Sequence, residues 1–186
     1  AEGYLRRMVE QGFRVAVCEQ LEDPAQAKGI VKRGVTRVVT PGTLVDAFLL
    51  DESHSNLLGA MRHDEGVVSI AVAELSTGSF DLHRCNIDRL DDMLERLRLS
   101  EVIVCDDNDL LSTHAKRLGI AVTTRPAWIF AIEEGVTLLQ SQFNVTTIKG
   151  FGLDQDSTQV GAAGALLAYL QQMQEGSTNL QHLQPP

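Results

Sequence analysis

The first forty residues combine a helical and an extended pattern of apolar positions. Apolar side chains within 4–9 recur at the spacing of one helix face, and Gly12 is a natural helix stop. The β-branched runs 13–18 and 35–40 predict two strands, and between them Asp23 is a suitable N-cap for one or two helical turns. Forty residues bury too little apolar surface to be stable alone, so we expect half of a small α/β unit whose other half lies upstream.

The pattern changes after Pro41-Gly42, which ends the second predicted strand. Three alternating runs follow, separated by HDEG and STG turns, and they predict an antiparallel meander over 56–63, 67–74 and 79–83. Amphipathic helices then alternate with two short apolar strands, EVIVC and IAVTT, of the kind buried in parallel sheets. Helices are predicted over 87–99, 108–118, 133–143 and 156–174. This order is the topology of a ribonuclease-H-like α/β layer.

These patterns divide the chain into four segments. Residues 1–44 form a partial α/β domain and residues 45–54 a linker, while 55–174 carry enough elements for a complete domain. Residues 175–186 are polar and end in two prolines, so an exit linker is predicted there. The chain also begins without Met within a predicted helix, so we expect it to be a piece of a longer protein.

Charge is distributed unevenly along the chain. The net charge is −9, yet residues 1–44 hold seven Lys and Arg against five acids, so the remainder carries −11. An acidic segment repels phosphate, and any nucleic-acid contact therefore belongs to the first part. There Lys28, Lys32, Arg33 and Arg37 cluster around a loop and the following strand, where they could hold DNA phosphates without reading bases. The alternative is a solvated surface.

Composition is that of an ordinary globular protein, with 44% apolar and 22% charged residues. No apolar run approaches the roughly 18 residues that span a bilayer, so we expect no membrane role. The three cysteines are widely spaced in apolar surroundings and predict free, buried thiols. No pair of Cys or His at short spacing indicates a zinc site.

Four carboxylates in the second domain raise the question of nuclease chemistry. Glu74, Asp106, Asp107 and Asp154 lie at predicted strand ends or just before the last helix. Carboxylates brought together in this way could bind two Mg²⁺ ions for phosphodiester hydrolysis. Acids at strand ends are also common without any activity. We therefore predict no catalytic residue and no metal site, and keep a ribonuclease-H-like metal-dependent nuclease as the alternative function.

Several segments, in one order, resemble the MutS family of bacterial DNA mismatch-recognition ATPases. The stretch YLRRMVEQGFRVAVCEQLEDPAQAKGIVKRGVTRVVTPGT resembles the end of the family's mismatch-recognition domain. The stretches NLLGA, ELSTGSF, IKGFGL and AAGALLAYL resemble its connector domain, which is ribonuclease-H-like in fold without nuclease activity. The resemblance covers nearly the whole chain, and it implies that 1–44 ends the mismatch-recognition domain and 55–174 is the connector.

The resemblance also implies what the full-length parent does. It would act in DNA mismatch repair in the bacterial cytoplasm, at the nucleoid, as a homodimer that binds mismatched double-stranded DNA, uses ATP and Mg, and recruits MutL. The family's Phe-x-Glu mismatch reader and Walker A loop are absent from this sequence. For this piece we therefore expect neither mismatch readout nor ATP hydrolysis, and no cofactor.

A MutL-docking surface is predicted on the helix over 133–143, because the family's connector engages MutL. Its apolar positions, Ile132, Leu138, Leu139 and Phe143, can serve the core and leave Glu133, Glu134, Thr137, Gln140 and Ser141 outward. Interface cores exclude isolated acids, so the neutral Thr137, Gln140 and Ser141 are the candidate contacts. The alternative is a solvated helix face.

Overall fold

The computed structural model describes residues 2–23, 29–43, 56–155, 157–173 and 180–186. They form two units, one around a two-stranded sheet and one around a five-stranded mixed sheet. No helix in these described ranges is long and apolar enough to cross a membrane.

The first unit packs one helix on a pair of antiparallel strands: α1 (Glu2–Glu10), β1 (Val15–Gln20) and β2 (Arg33–Val39). The chain leaves α1 at Gly12, whose φ of 84° favours glycine. The strand predicted over 13–18 lies two residues further along, and the short helix predicted after Asp23 falls on residues outside the described ranges. Among the described residues of this unit, the buried core consists of Val9 and Val39 and is therefore small.

The second unit follows the predicted order of elements. They are β3 (Leu57–Asp64), β4 (Val67–Glu74), β5 (Ser79–Asn86), α2 (Leu90–Leu97), β6 (Glu101–Cys105), α3 (Asp109–Arg117), β7 (Ala121–Arg125), α4 (Ile132–Phe143) and α5 (Thr158–Met173). The strand order is β5-β4-β3-β6-β7, antiparallel among β3, β4 and β5 and parallel among β3, β6 and β7. The predicted meander and parallel strands are thereby confirmed.

Local chemistry explains where these elements end. The turn between β3 and β4 has two residues, Glu65 and Gly66, with φ of 46° and 82°, as a tight hairpin turn requires. The side chain of Asn108 accepts a hydrogen bond from the Leu111 N–H and caps the start of α3.

The sheet is covered on both faces. α5 lies across β3 and β4 on one face, with α4 beside it, and α2 and α3 cover the other face. The run of small residues in α5 serves more than sheet packing, because Gly164 lies directly against Gly135 of α4. Close approach of two backbones at a glycine pair brings α4 tightly onto the core.

The end of the chain departs from the exit linker predicted over 175–186. Leu180 and Leu183 are buried in the main core of the second unit, at 6% and 4% exposure. The ring Nε2 of His182 lies 2.9 Å from the carbonyl oxygen of Leu75. The prediction was wrong because it rested on the overall polar composition, whereas the two leucines, three residues apart, pack into the domain.

Candidate nucleic-acid interface and partner surface

A bulge in β2 divides the predicted cluster of cations. Thr36 is an extra residue in this strand, since Val17 pairs with Arg37 while the next residue of β1 pairs with Val35. Directly opposed residues of an antiparallel pair project to the same face. Arg37 therefore shares the face of Val17, which packs on α1, whereas Arg33 shares the opposite, exposed face with Val35.

The four predicted phosphate-binding residues thus lie in different surroundings. Lys28 is outside the described residues. Lys32 and Arg33 are exposed near the end of the strand pair, where the Lys32 N–H donates to the carboxylate of Glu22 at 2.6 Å. Arg37 is half-buried and has an interaction partner. Of the three cations that the structure describes, Lys32 and Arg33 lie side by side and exposed, and their contact with DNA stays a prediction.

The first unit also exposes large apolar side chains. Tyr4 is 75% exposed, Phe13 55%, Leu21 56%, Val35 55% and Ile30 fully exposed. The described part of the first unit therefore leaves several large apolar side chains uncovered.

The carboxylates considered for a nuclease lie at opposite ends of the sheet. Glu74 pairs with Leu57, at the end where β6 begins, whereas Asp106 and Asp107 follow the end of β6. The length of β6 separates these ends by about 13 Å, against roughly 4 Å between the ions of a two-metal site. The carboxylate of Glu74 instead accepts a hydrogen bond from the Thr77 hydroxyl at 2.9 Å.

A small cavity of about 210 Å³ lies at the carboxyl ends of β3 and β6. The ligand atoms of Cys105, Asp106 and Asp107 lie within 4.8 Å of one another there. Burial, followed by a hydrogen bond to Asp107, raises the pKa of Cys105 to about 11, so the thiol is a poor metal ligand at neutral pH. On β3, Arg62 lines the same cavity and donates to the Phe130 carbonyl at 2.5 Å. A cation on this strand opposes metal binding.

The predicted partner residues on α4 differ in how free they are. Thr137 and Ser141 are exposed and lie four residues apart, on one side of the helix. The Thr137 hydroxyl donates to the Glu133 carbonyl at 3.0 Å. Gln140 is half-buried, and its Nε2 donates to the Thr146 carbonyl at 2.8 Å. Gln140 therefore ties the end of α4 to the next loop, which leaves Thr137 and Ser141 for a partner.

Other expectations for this region are confirmed in part. Leu139 is fully buried and Phe143 packs against the main core, as predicted. In the loop before α4, Phe130 is buried, whereas Trp128 is 66% exposed. The cysteines are free, as expected, but the expected burial is wrong: Cys18 is exposed, and Cys85 and Cys105 are only partly buried.

One buried charged residue was not predicted from the sequence. Glu101 opens β6 and is 1% exposed. The only local signal was an acid at the start of the otherwise apolar stretch EVIVC. A lone charge at the start of a buried strand indicates compensating partners nearby, because an ionised group is buried only where hydrogen bonds or charges compensate it.

Comparison with known proteins covers nearly the whole chain. The family model for MutS domain I matches residues 1–47, and that for MutS domain II matches residues 56–184. DNA mismatch repair protein MutS of Chlorobaculum parvum is 37% identical over 182 residues, and that of Chlorobaculum tepidum is 38% identical over 184. Each alignment covers 95% of this chain, and the chain spans 21% of the length of each relative.

Likeness to solved structures is weaker. The large terminase nuclease from thermophilic phage G20c with bound zinc aligns at a TM-score of 0.43 and 20% identity, over 75% of this chain and 90% of that one. The catalytic core domain of BIV integrase aligns at a TM-score of 0.30 and 12% identity, over 61% of this chain and 82% of that one. A likeness at this level says nothing about activity. The two domain models, matched in order, are decisive: the chain belongs to the MutS family.

Proposed function

We propose that this chain is a non-catalytic connector module of a DNA mismatch-repair protein. The second unit is a ribonuclease-H-like connector domain, and the first unit is the part of the mismatch-recognition domain that contacts the DNA backbone. The observation that carries the proposal is the turn over 40–43, which leaves the first unit and is buried against the second. Thr40 is fully buried, and Gly42 lies against Leu58 and Glu101. A displacement of the DNA-facing unit is therefore passed directly to the connector.

The strand order and the placement of the acids support a domain without catalysis. The order β5-β4-β3-β6-β7 places a three-stranded meander beside two parallel strands, which is the ribonuclease-H-like arrangement. Its Glu74 lies at the opposite end of β6 from Asp106 and Asp107, so these acids do not share one pair of metal ions. Fold alone does not confer the activity of enzymes that share it.

The activity of the whole protein is proposed from the relatives, whose names assign them to DNA mismatch repair. We propose that the full-length protein binds mismatched double-stranded DNA as a homodimer. It would use ATP and Mg in a domain outside this chain, act in the cytoplasm at the nucleoid, and recruit MutL through the connector.

Contact with the DNA backbone is tested by charge reversal at Lys32 and Arg33. In the full-length protein, Lys32→Glu and Arg33→Glu should each lower the slope of log affinity against log salt by about one, because each removes one phosphate contact. Lys116→Glu is the matched control, since Lys116 is an exposed cation on the acidic second unit. A slope that changes equally in the control, or in none of the variants, would reject the contact.

Recruitment of MutL is tested at the exposed side of α4. Thr137→Arg with Ser141→Arg should abolish MutL recruitment while mismatch binding and ATP hydrolysis persist. Thr113→Arg is the control, because Thr113 is also exposed on a helix and also donates to a carbonyl four residues back, that of Asp109. Gln140 is left intact because its amide holds the following loop. Unchanged recruitment would place the docking surface elsewhere.

The nuclease alternative makes its own prediction. Cleavage of DNA or of an RNA–DNA hybrid that requires Mg²⁺ or Mn²⁺ and is lost in Glu74→Ala would overturn the non-catalytic assignment. We expect the 186-residue chain to show no such cleavage.

A further inference from the structure

We propose that Glu101 is a positioning residue that fixes the first unit against the second, so that the two move as one body. Its side chain is buried at the start of β6, where segments from both units meet. All of these contacts lie within this chain, so they do not depend on DNA binding.

Two hydrogen bonds hold the carboxylate from the side of the second unit. The hydroxyl of Tyr169, on α5, donates to Oε1 of Glu101 at 2.7 Å. The hydroxyl of Thr123, on β7, donates to the same oxygen at 2.8 Å. Both donors are largely buried, so the carboxylate is set in one orientation within its own domain.

The other carboxylate oxygen faces the first unit. The Gly42 N–H donates to Oε2 of Glu101 at 3.0 Å. From the residue before β1, the Arg14 guanidinium donates to the Thr123 hydroxyl at 2.6 Å and stands 5.9 Å from the centre of the Tyr169 ring. The start of β1 and the end of β2, which lie at the same end of the strand pair, therefore both reach the buried carboxylate: β2 directly through Gly42, and β1 through the Thr123 hydroxyl.

The approach of Gly42 depends on its lack of a side chain. A Cβ at this position would lie 2.5 Å from Cδ1 of Leu58 and 3.0 Å from Cβ of Glu101. The turn around it is closed by a hydrogen bond from the Thr40 N–H to the Thr43 hydroxyl at 2.9 Å. The Pro41-Gly42 pair thus ends a strand and also presents one N–H to Glu101 at close range.

Energetics make this contact all-or-none. A buried carboxylate needs its hydrogen-bond donors, and a buried N–H needs its acceptor. Separation of the two units would therefore leave the Glu101 carboxylate and the Gly42 N–H without these partners at the same time. Apolar packing adds to these hydrogen bonds, because Val38 of β2 packs against the main core of the second unit, while the buried core within the described part of the first unit is limited to Val9 and Val39. A small core with a strongly hydrogen-bonded attachment behaves as an element that is either docked or released.

The test replaces the carboxylate by an amide of the same shape. In Glu101→Gln, one oxygen still accepts from Tyr169 and Thr123, but an NH₂ group then faces the Gly42 N–H. We expect hydrogen exchange of the Gly42 amide to become about 10- to 100-fold faster, as loss of a bond to a charged group implies. The amides of Val102 and neighbouring residues of β6 should keep their protection.

A second readout measures the orientation itself. Trp128 is the only tryptophan of the chain and lies in the second unit, while Cys18 is exposed on β1. With Cys85 and Cys105 replaced by alanine, a dye on Cys18 accepts energy from Trp128. We expect Glu101→Gln to change the transfer efficiency, because the first unit is released.

The control is Ser69→Ala, which removes a fully buried hydroxyl bonded at 2.7 Å to Thr158, with both partners inside the second unit. It should lower overall stability without changing the Gly42 exchange or the transfer efficiency. If Glu101→Gln does not fold, Thr123→Val takes its place and is followed by energy transfer, since it keeps side-chain volume and breaks the bridge to Arg14 but leaves the Gly42 hydrogen bond. Unchanged exchange and transfer in a folded variant, or equal changes in Ser69→Ala, would overturn the proposal.

Discussion

The contact between α4 and α5 gives a prediction that the structure makes quantitative. Gly164 of α5 lies against Gly135 of α4, and a Cβ on Gly164 would meet the Cα of Gly135 closer than real carbon atoms approach. The obstacle is backbone, which cannot rotate away as a side chain can. Gly164→Ala must therefore push the two helices apart.

The cost follows from the size of that displacement. A normal contact requires the helices to separate by about 1 Å, and a gap of that size forfeits a quarter to a half of each dispersion contact along the interface. Overpacking of this kind costs about 1–3 kcal/mol. The better helix propensity of alanine offsets up to about 1 kcal/mol of this loss in the free energy of unfolding. We expect a net loss of about 1–2 kcal/mol in the free energy of unfolding.

Urea unfolding followed by Trp128 fluorescence measures this loss in the second unit. With a typical urea dependence for a small domain, the midpoint should fall by about 0.5–1 M. Gly150→Ala is the matched control, because Gly150 is exposed in the same unit and a Cβ there meets nothing within 4 Å. A midpoint of Gly164→Ala equal to or above that of Gly150→Ala would refute the packing argument.

Three further predictions concern titrating groups. Burial and Asp107 raise the pKa of Cys105 to about 11, so iodoacetamide at pH 8 should modify the exposed Cys18 well before Cys105. Mass spectrometry measures the two rates of modification, and equal rates would contradict this prediction. Burial, and after it the carboxylate of Glu101, raises the pKa of Tyr169 above its usual 10. The stability that the protonated Tyr169 contributes is therefore complete below pH 10 and is lost as the pH rises through the raised pKa. Tyr169→Phe should flatten this alkaline loss in urea unfolding. Burial lowers the pKa of His83 from 6.5, so the stability it supports is present above pH 6.5 and declines at lower pH, and His83→Gln should weaken that decline.

Periodicity located the elements of the second unit because each apolar run there is bounded by a strong turn signal. β4 spans the predicted 67–74, with the tight turn at Glu65 and Gly66 before it and the turn ending at Gly78 after it. Boundaries shifted where the chain changes helix type. The helix predicted over 87–99 is a 3-10 turn at residues 87–89 followed by α2, which ends at Leu97 because the next residue, Arg98, is left-handed.

The cluster around Glu101 had no comparable local signal. Its partners Arg14, Gly42, Thr123 and Tyr169 are up to 155 residues apart in the chain, and they meet only because β6, β7 and α5 are already placed. Sequence patterns report which face of an element is apolar, but they do not report which buried acid will meet which donor across two units. The carboxylate was identifiable as unusual, whereas its role required the folded arrangement.

The bulge at Thr36 has a consequence for any DNA lying on the first unit. Arg33 and Arg37 are four residues apart and would share one face of a regular strand. The extra residue reverses the alternation between them, so they project to opposite faces of the strand pair. One DNA backbone running along one face can meet only one of them. Arg33→Glu and Arg37→Glu should therefore lower the salt dependence of DNA binding unequally, by about one unit of slope for the residue in contact and by little for the other. Equal reductions in a folded pair of variants would show that both face the DNA and that the register described for β2 is wrong.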